Sequence, residues 1–179
     1  MLFRELLTRS LIICTNMKCN CKVFDGKYAD FRHDNRDIVS IKEKKSTYKY
    51  YNKNNQILNH LAQYRVDGRL ISDDGKKCDY LLLNCERKQA FFIELKSSDL
   101  LDAIKQITRN IEALKDRLRG FSIFARIALT RVNTADFRYP EYTRLQKKVE
   151  SLNGNLVQTS RLLEEPLTNK NRKTAKNKK

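Results

Sequence analysis

No stretch of the chain approaches the ~20 consecutive apolar residues that a membrane-spanning helix needs, which excludes a helical span. The opening run from Leu2 to Cys14 also lacks the clean apolar core of a secretory leader, because Arg4, Glu5 and Arg9 interrupt it. Leu2, Phe3, Leu6 and Leu7 instead share one face of a short amphipathic helix, and a cytoplasmic location is expected. Five cysteines are an odd number, which argues against a closed disulfide framework. Cys14, Cys19 and Cys21, with His33, match no zinc spacing, so free thiols are expected there, and Cys78 and Cys85 read as small core residues. There are no internal repeats. Acidic residues are scarce, 21 against 37 Lys and Arg, giving a formal charge of +16 on 179 residues. That excess favours a polyanionic partner. Lys and Asn are abundant throughout, so part of it is compositional. Lys170, Arg172, Lys173, Lys176, Lys178 and Lys179 carry six of the sixteen charges, and the body without them stays basic.

What is present is a pair of apolar strands with charges inside them. Lys77-Cys78-Asp79-Tyr80-Leu81-Leu82-Leu83 is followed, after the polar break 84–89, by Phe91-Phe92-Ile93-Glu94-Leu95-Lys96. Burying a carboxylate or ammonium costs several kcal/mol, of order 3 or more, unless it is paired or metal-bound. A hairpin turning near Arg87 and Lys88 puts Asp79 directly across from Lys96, with Glu94 its diagonal neighbour. Opposed Cβ atoms lie ~5 Å apart and diagonal ones ~7–8 Å, and alternation sends Glu94 and Lys96 to one face. Two adjacent carboxylates repel, and an oxygen-seeking divalent cation resolves the conflict. Such an ion polarises a phosphodiester and acidifies bound water, while a neighbouring lysine stabilises developing charge or orients the water. The plainer reading of the same residues is a solvated strand face with a surface ion pair worth under about 1 kcal/mol, Asp79 capping a strand.

Asp79 followed by Glu94-Leu95-Lys96 on the next strand resembles the PD-(D/E)XK nuclease superfamily, the restriction-endonuclease-like fold. The resemblance runs over roughly residues 60 to 160 and implies an α/β fold, a mixed central sheet flanked by helices, with the acids on a central hairpin. It implies Asp79 and Glu94 as Mg²⁺ ligands (Mn²⁺ as an alternative), Lys96 as a catalytic cation, and Gln106 as the glutamine that many members carry on the following helix. Cys78 stands where proline often precedes the first acid. No upstream helix glutamate is evident; Glu43 is the nearest candidate.

Three regions are expected: 1–55 as an N-terminal extension, partly loop; 56–165 as the nuclease-like core; 166–179 as a disordered basic tail. In the first, Asp25-Gly26, Asp34-Asn35 and Lys42 to Lys45 suggest turns. Tyr48-Lys49-Tyr50-Tyr51 is either a half-buried strand or a base-stacking segment. Residues 56–64 are a helix or a strand, and Arg69-Leu70-Ile71 a short strand between the turns Asp67-Gly68 and Asp74-Gly75. Ser97-Ser98-Asp99 offers N-cap oxygens to a helix carrying Leu100, Ile104, Ile107, Ile111, Leu114 and Leu118, stopped by Gly120. Gln106 lies off that stripe, and Arg109, Lys115 and Arg119 form an exposed basic face. A strand from Phe121 to Val132, a helix opened by Pro140 with Tyr142, Leu145, Val149 and Leu152 inward, and a strand Asn155–Thr159 complete an α/β order.

The leading expectation is therefore a Mg²⁺-dependent endonuclease, with Arg109, Lys115, Arg119, Lys170, Arg172 and Lys173 holding the phosphate backbone. DNA is favoured over RNA through the resemblance, since no RNA-recognition motif built on paired aromatics is present. One such site cuts one strand, so double-strand cleavage needs a homodimer or two encounters. The alternatives are a catalytically silent nucleic-acid-binding module and a basic subunit whose tail docks a partner protein.

Overall fold

The computed structural model describes residues 23–54, 57–96, 99–131 and 139–166. The amphipathic start, Cys14, Cys19, Cys21 and the basic tail with Lys170, Arg172 and Lys173 lie outside the described residues. The strands are β1 (Ala29–Asp34), β2 (Ile38–Glu43), β3 (Ser46–Tyr51), β4 (Lys53–Asn54), β5 (Ile57–Leu58), β6 (Leu61–Arg65), β7 (Tyr80–Asn84), β8 (Gln89–Lys96), β9 (Ser122–Leu129), β10 (Leu156–Ser160) and β11 (Leu162–Glu165); the helices are α1 (Leu100–Leu114) and α2 (Pro140–Ser151).

Six strands form a mixed sheet in the order β1-β6-β7-β8-β9-β10. The first three pairings, β1–β6, β6–β7 and β7–β8, are antiparallel, and β8–β9 and β9–β10 are parallel, each parallel step bridged by a helix. The two middle strands read as near-continuous apolar runs because both their faces are covered. Leu81, Leu83, Ala90 and Phe92 meet Ala103, Ile104, Ile107 and Ile111 of α1, while Leu82, Phe91, Ile93 and Leu95 meet Val39, Ile41, Tyr48 and Tyr50. Both helices lie in the first of these layers, and a three-stranded sheet, β11-β3-β2, supplies the second. The expected flanking by helices is thus one-sided. Tyr48 and Tyr50 are fully buried, so Tyr48-Lys49-Tyr50-Tyr51 is the half-buried strand and its two core tyrosines stack no bases. Residues 29–54 pair and pack with the rest of the chain through β1–β6 and this second layer. Residues 57–65 are strands, and Arg69-Leu70-Ile71 forms only an isolated bridge, Asp67 to Ile71.

Local signals act as expected at the helices. The Asp99 carboxylate accepts the Asp102 N–H at 2.9 Å to open α1, and Pro140 opens α2. After α2 the chain passes so close to β9 that a Cβ on Gly154 would sit 1.7 Å from the Ile123 carbonyl oxygen, which fixes glycine there. Among the described residues no helix is long and apolar enough to cross a membrane. Cys78 is a free buried thiol; Cys85, equally buried, is disulfide-bonded.

An ion cluster joins the helices. Glu112 of α1 pairs with Lys148 of α2 and, at 2.5 Å, with Lys115. Hydrogen bonds from Lys115 and then Lys148 hold the Glu112 carboxyl down to about 2 from its ordinary 4.5. A depressed carboxyl stabilises the fold in full above its unfolded value and loses that contribution as pH falls toward the folded one. Glu112→Gln is expected to lower stability slightly at neutral pH and to flatten its fall between pH 4.5 and 2. Urea midpoints across that range check this; the cluster is half exposed, so the effect is small.

Candidate active site

The β7–β8 hairpin turns one residue earlier than its sequence suggests. Asn84 pairs with Gln89 and Tyr80 with Ile93, the Asn84 carboxamide accepts the Arg87 N–H at 3.1 Å, and Lys88 takes a left-handed φ of 51°. This side-chain-stabilised loop of four residues replaces a turn centred on Arg87 and Lys88. Continued past Tyr80, the register sets Asp79 opposite Glu94 and not opposite Lys96, so the two carboxylates are direct neighbours.

Here the two strands part, and the carboxylates take over from backbone carbonyls. Glu94 Oε2 accepts the Asp79 N–H at 3.1 Å, and Asp79 Oδ2 accepts the Leu95 N–H at 2.7 Å. The Asp79 carbonyl accepts from the Val66 N–H, one residue past β6. Glu94 is 1% exposed, which removes the plain reading of a solvated face. Lys96 ends β8 with its backbone paired in register to Leu129; its side chain lies outside the described residues.

Helix α1 lies across this fork. Asn110 is fully buried and its Oδ1 accepts the Cys78 N–H at 2.6 Å, fixing the chain one residue before Asp79. One turn earlier, Gln106, which its flanking position leaves free either to reach a site or to face water, is 6% exposed and points into the cleft. Its Nε2 donates to Asp102 at 3.1 Å, and its Oε1 is buried with no hydrogen-bond partner. Buried polar atoms without partners are rare and costly. Burial, reinforced by the charges of Glu94 and Asp79, pushes the Cys78 thiol well up.

Asp79, Glu94 and Gln106 line one cleft of about 310 Å³ with Asp67, Lys77, Glu43 and Lys44. Lys77 is 5% exposed and tied to Asp73 and Asp67, the latter at 3.7 Å. Glu43 arrives from the end of β2, not from an upstream helix. Tyr80 donates to Glu43 Oε1 at 3.0 Å and accepts from Arg65 at 3.1 Å; burial first, then the bond to Glu43, pushes the phenol up to about 12. Lys77, Asn110, Tyr80 and Arg65 escaped sequence reasoning. Only Asn110 carried a signal, an amide one turn from Gln106 beside an apolar stripe.

The expected phosphate-holding residues of α1 and its C-terminal turn are each beside an acid. Arg109 meets Asp73 at 2.9 Å, packed over Gly75; Lys115 meets Glu112 at 2.5 Å; Arg119 meets Asp116 at 3.3 Å.

Among the described residues no three His, Cys, Asp or Glu side chains converge closely enough to hold a metal ion by themselves. A hydrated Mg²⁺ takes only one or two protein carboxylates, with waters completing its shell. Asp79 and Glu94 fit that requirement, and the unpartnered Gln106 Oε1 supplies an acceptor for such a water in the same cleft. Comparison with known proteins finds no matching family model, no matching curated protein and no matching solved structure.

Proposed function

We propose that the chain is a metal-dependent endonuclease of the restriction-endonuclease-like fold, hydrolysing phosphodiester bonds, with DNA favoured over RNA. The observation that carries this reading is the directly opposed pair Asp79 and Glu94, the second of them buried, beside an unpartnered amide oxygen in one cleft. The order of elements supports the fold: an antiparallel β6-β7-β8 run, α1, then β9 parallel to β8, with Glu94 on β8 and Asp79 immediately before β7.

In this reading Asp79 and Glu94 hold Mg²⁺ or Mn²⁺. Such an ion, held there, would supply Lewis acidity toward the phosphodiester and would lower the pKa of a bound water. Gln106 Oε1 accepts a hydrogen bond from the attacking water and so orients it. Lys96 offers an ammonium to the charge that develops on the phosphorus oxygens. The water oxygen bonds to phosphorus, the bond to the leaving sugar oxygen breaks, and a proton passes to that oxygen. Asn110 acts through the backbone, holding Cys78 and hence Asp79 in place.

Cleavage of plasmid and single-stranded DNA by the wild type and Lys96→Ala, with Mg²⁺, Mn²⁺ or EDTA, tests this. The expected result is nicking with either metal, none in EDTA, and a loss of about 100-fold or more in the variant. A second reading, a silent nucleic-acid-binding module, draws on the absence of a three-carboxylate cluster among the described residues. Salt-sensitive binding by a wild type that cleaves with neither metal would select it.

A further inference from the structure

We propose that the phosphodiester backbone reaches the cleft over the β2–β3 hairpin, along a track of cations made by Lys44, Arg65 and Lys42, and not over the outer face of α1. The proposal rests on the nuclease reading and names where its substrate lies.

Three observations carry it. The first is the state of the cations. Arg109, Lys115 and Arg119 each sit within 3.5 Å of a carboxylate, so each of these three cations is locally neutralised. Lys42, Lys44 and Arg65 are all exposed. Among the described residues none of the three has a carboxylate within ion-pair distance. Arg65 spends one hydrogen bond on the Tyr80 hydroxyl and lies over its ring, 5.4 Å from the centroid.

The second is continuity. The cleft shares Glu43, Asp67 and Asp79 with a neighbouring hollow of about 210 Å³. That hollow shares Arg65 and Tyr80 with a third, of about 400 Å³, whose walls include Lys42 and Arg36. A groove thus runs from the acids past Tyr80 to the outer edge of the hairpin. A polyanion drawn to a cleft lined by Glu43, Asp67, Asp79 and Glu94 meets like charge; unneutralised cations along its approach offset that repulsion within a Debye length, about 8–10 Å.

The third is the hairpin tip. Lys44 is the first of two residues between the paired Glu43 and Ser46, and its φ is +50°. Glycine or asparagine normally fills such a position, because an L side chain is strained there. The tip is also fixed in place by Glu43 bonding to Tyr80. A strained lysine held rigidly at the lip of an acidic cleft is the pattern expected where the side chain serves a ligand.

The test is binding of labelled single- and double-stranded oligonucleotides in EDTA over a salt series. Wild type is compared with Lys44→Asn, Lys42→Gln and Arg65→Gln, and with Lys115→Gln and Arg119→Gln. Each phosphate contact contributes about 0.7 (single strand) to 0.9 (duplex) to the slope of log affinity against log salt. Each track variant is expected to lose about that much, about sixfold in affinity at 0.1 M relative to 1 M salt. Lys44→Asn should do so with a thermal midpoint at or above the wild type's, because asparagine tolerates the positive φ. Slopes that fall for Lys115→Gln and Arg119→Gln but not for the track variants would overturn the proposal. If the wild type cleaves in a Lys96-dependent way while the track variants bind unchanged, only this proposal fails. If the wild type neither binds nor cleaves, the nuclease reading fails with it.

Discussion

Glu94→Gln and Asp79→Asn are each expected to reduce metal-dependent cleavage by more than about 100-fold without lowering the thermal midpoint in EDTA. The asymmetry follows from how the carboxylates are used. One oxygen of each accepts a backbone N–H at the strand fork, Glu94 from Asp79 and Asp79 from Leu95. Gln and Asn retain such an oxygen, so the fork stays closed. What they remove is one of two like charges that face one another, one of them almost wholly buried, where each carboxylate raises the cost of ionising the other. Asp79→Ala behaves differently: it leaves the Leu95 N–H without its acceptor and should cost about 1–3 kcal/mol. Divalent metal supplies an independent readout. Mg²⁺ or Mn²⁺ should raise the wild-type midpoint, because binding to the native state alone stabilises it, and should leave that of Asp79→Asn unmoved. An Asp79→Asn protein that still cleaves at the wild-type rate, or whose midpoint responds to metal as the wild type's does, removes these carboxylates from the chemistry.

The legible parts of this chain were those whose information is local. The stripe Leu100, Ile104, Ile107, Ile111 and Leu114 specifies α1, Asp99 caps it, and Pro140 opens α2. The hairpin was legible as a hairpin, but its register was not. Asn84 bonding to Arg87 and the left-handed Lys88 move the turn by one residue, and that step changes which side chain faces Asp79. Burial from outside the segment was hidden as well. The face of β9 carrying Phe124, Arg126 and Ala128 reads as mixed and half-solvated, yet Arg126 is fully buried because β11 covers it. Glu43 stands 36 residues before Asp79, and only the docking of the β2–β3 hairpin on Tyr80 brings it to the cleft. Gln106 was chosen through a resemblance and placed at the flank of the stripe, where it could reach a site or face water; the close approach of α1 to the fork is what buries it. Contacts across such sequence separations leave no periodic trace.

That covered face of β9 carries the second large effect, on stability. The Arg126 guanidinium makes a two-pronged pair with Glu165, one prong 3.0 Å long, and donates to the carbonyls of Ala125 and Asn155 at 2.9 and 3.1 Å. It lies over the rings of Phe91 and Phe124, 5.4 and 5.2 Å from their centroids. All three guanidinium nitrogens are therefore engaged, and the acid that balances the charge comes from the last described strand, β11, paired in parallel with β3. Glu165→Gln is expected to destabilise the protein by about 3 kcal/mol, since breaking a buried pair strands an uncompensated charge at a cost of about 3–5 kcal/mol. The lower end applies because Glu165 keeps some exposure. Replacing both partners by apolar residues, Arg126→Met with Glu165→Leu, should recover most of that loss, because well-packed hydrophobes match or exceed a buried ion pair. Urea denaturation of the two single variants and the double one forms the cycle. A Glu165→Gln protein within about 0.5 kcal/mol of wild type, the range of ordinary surface changes, would mean that the pair does not hold the second sheet in place. The pair lies on the side of the six-stranded sheet away from α1, and neither Arg126 nor Glu165 lines the cleft that holds Asp79, Glu94 and Gln106. Glu165→Gln should therefore lower stability while sparing metal-dependent cleavage below its melting range, the reverse of what Glu94→Gln does.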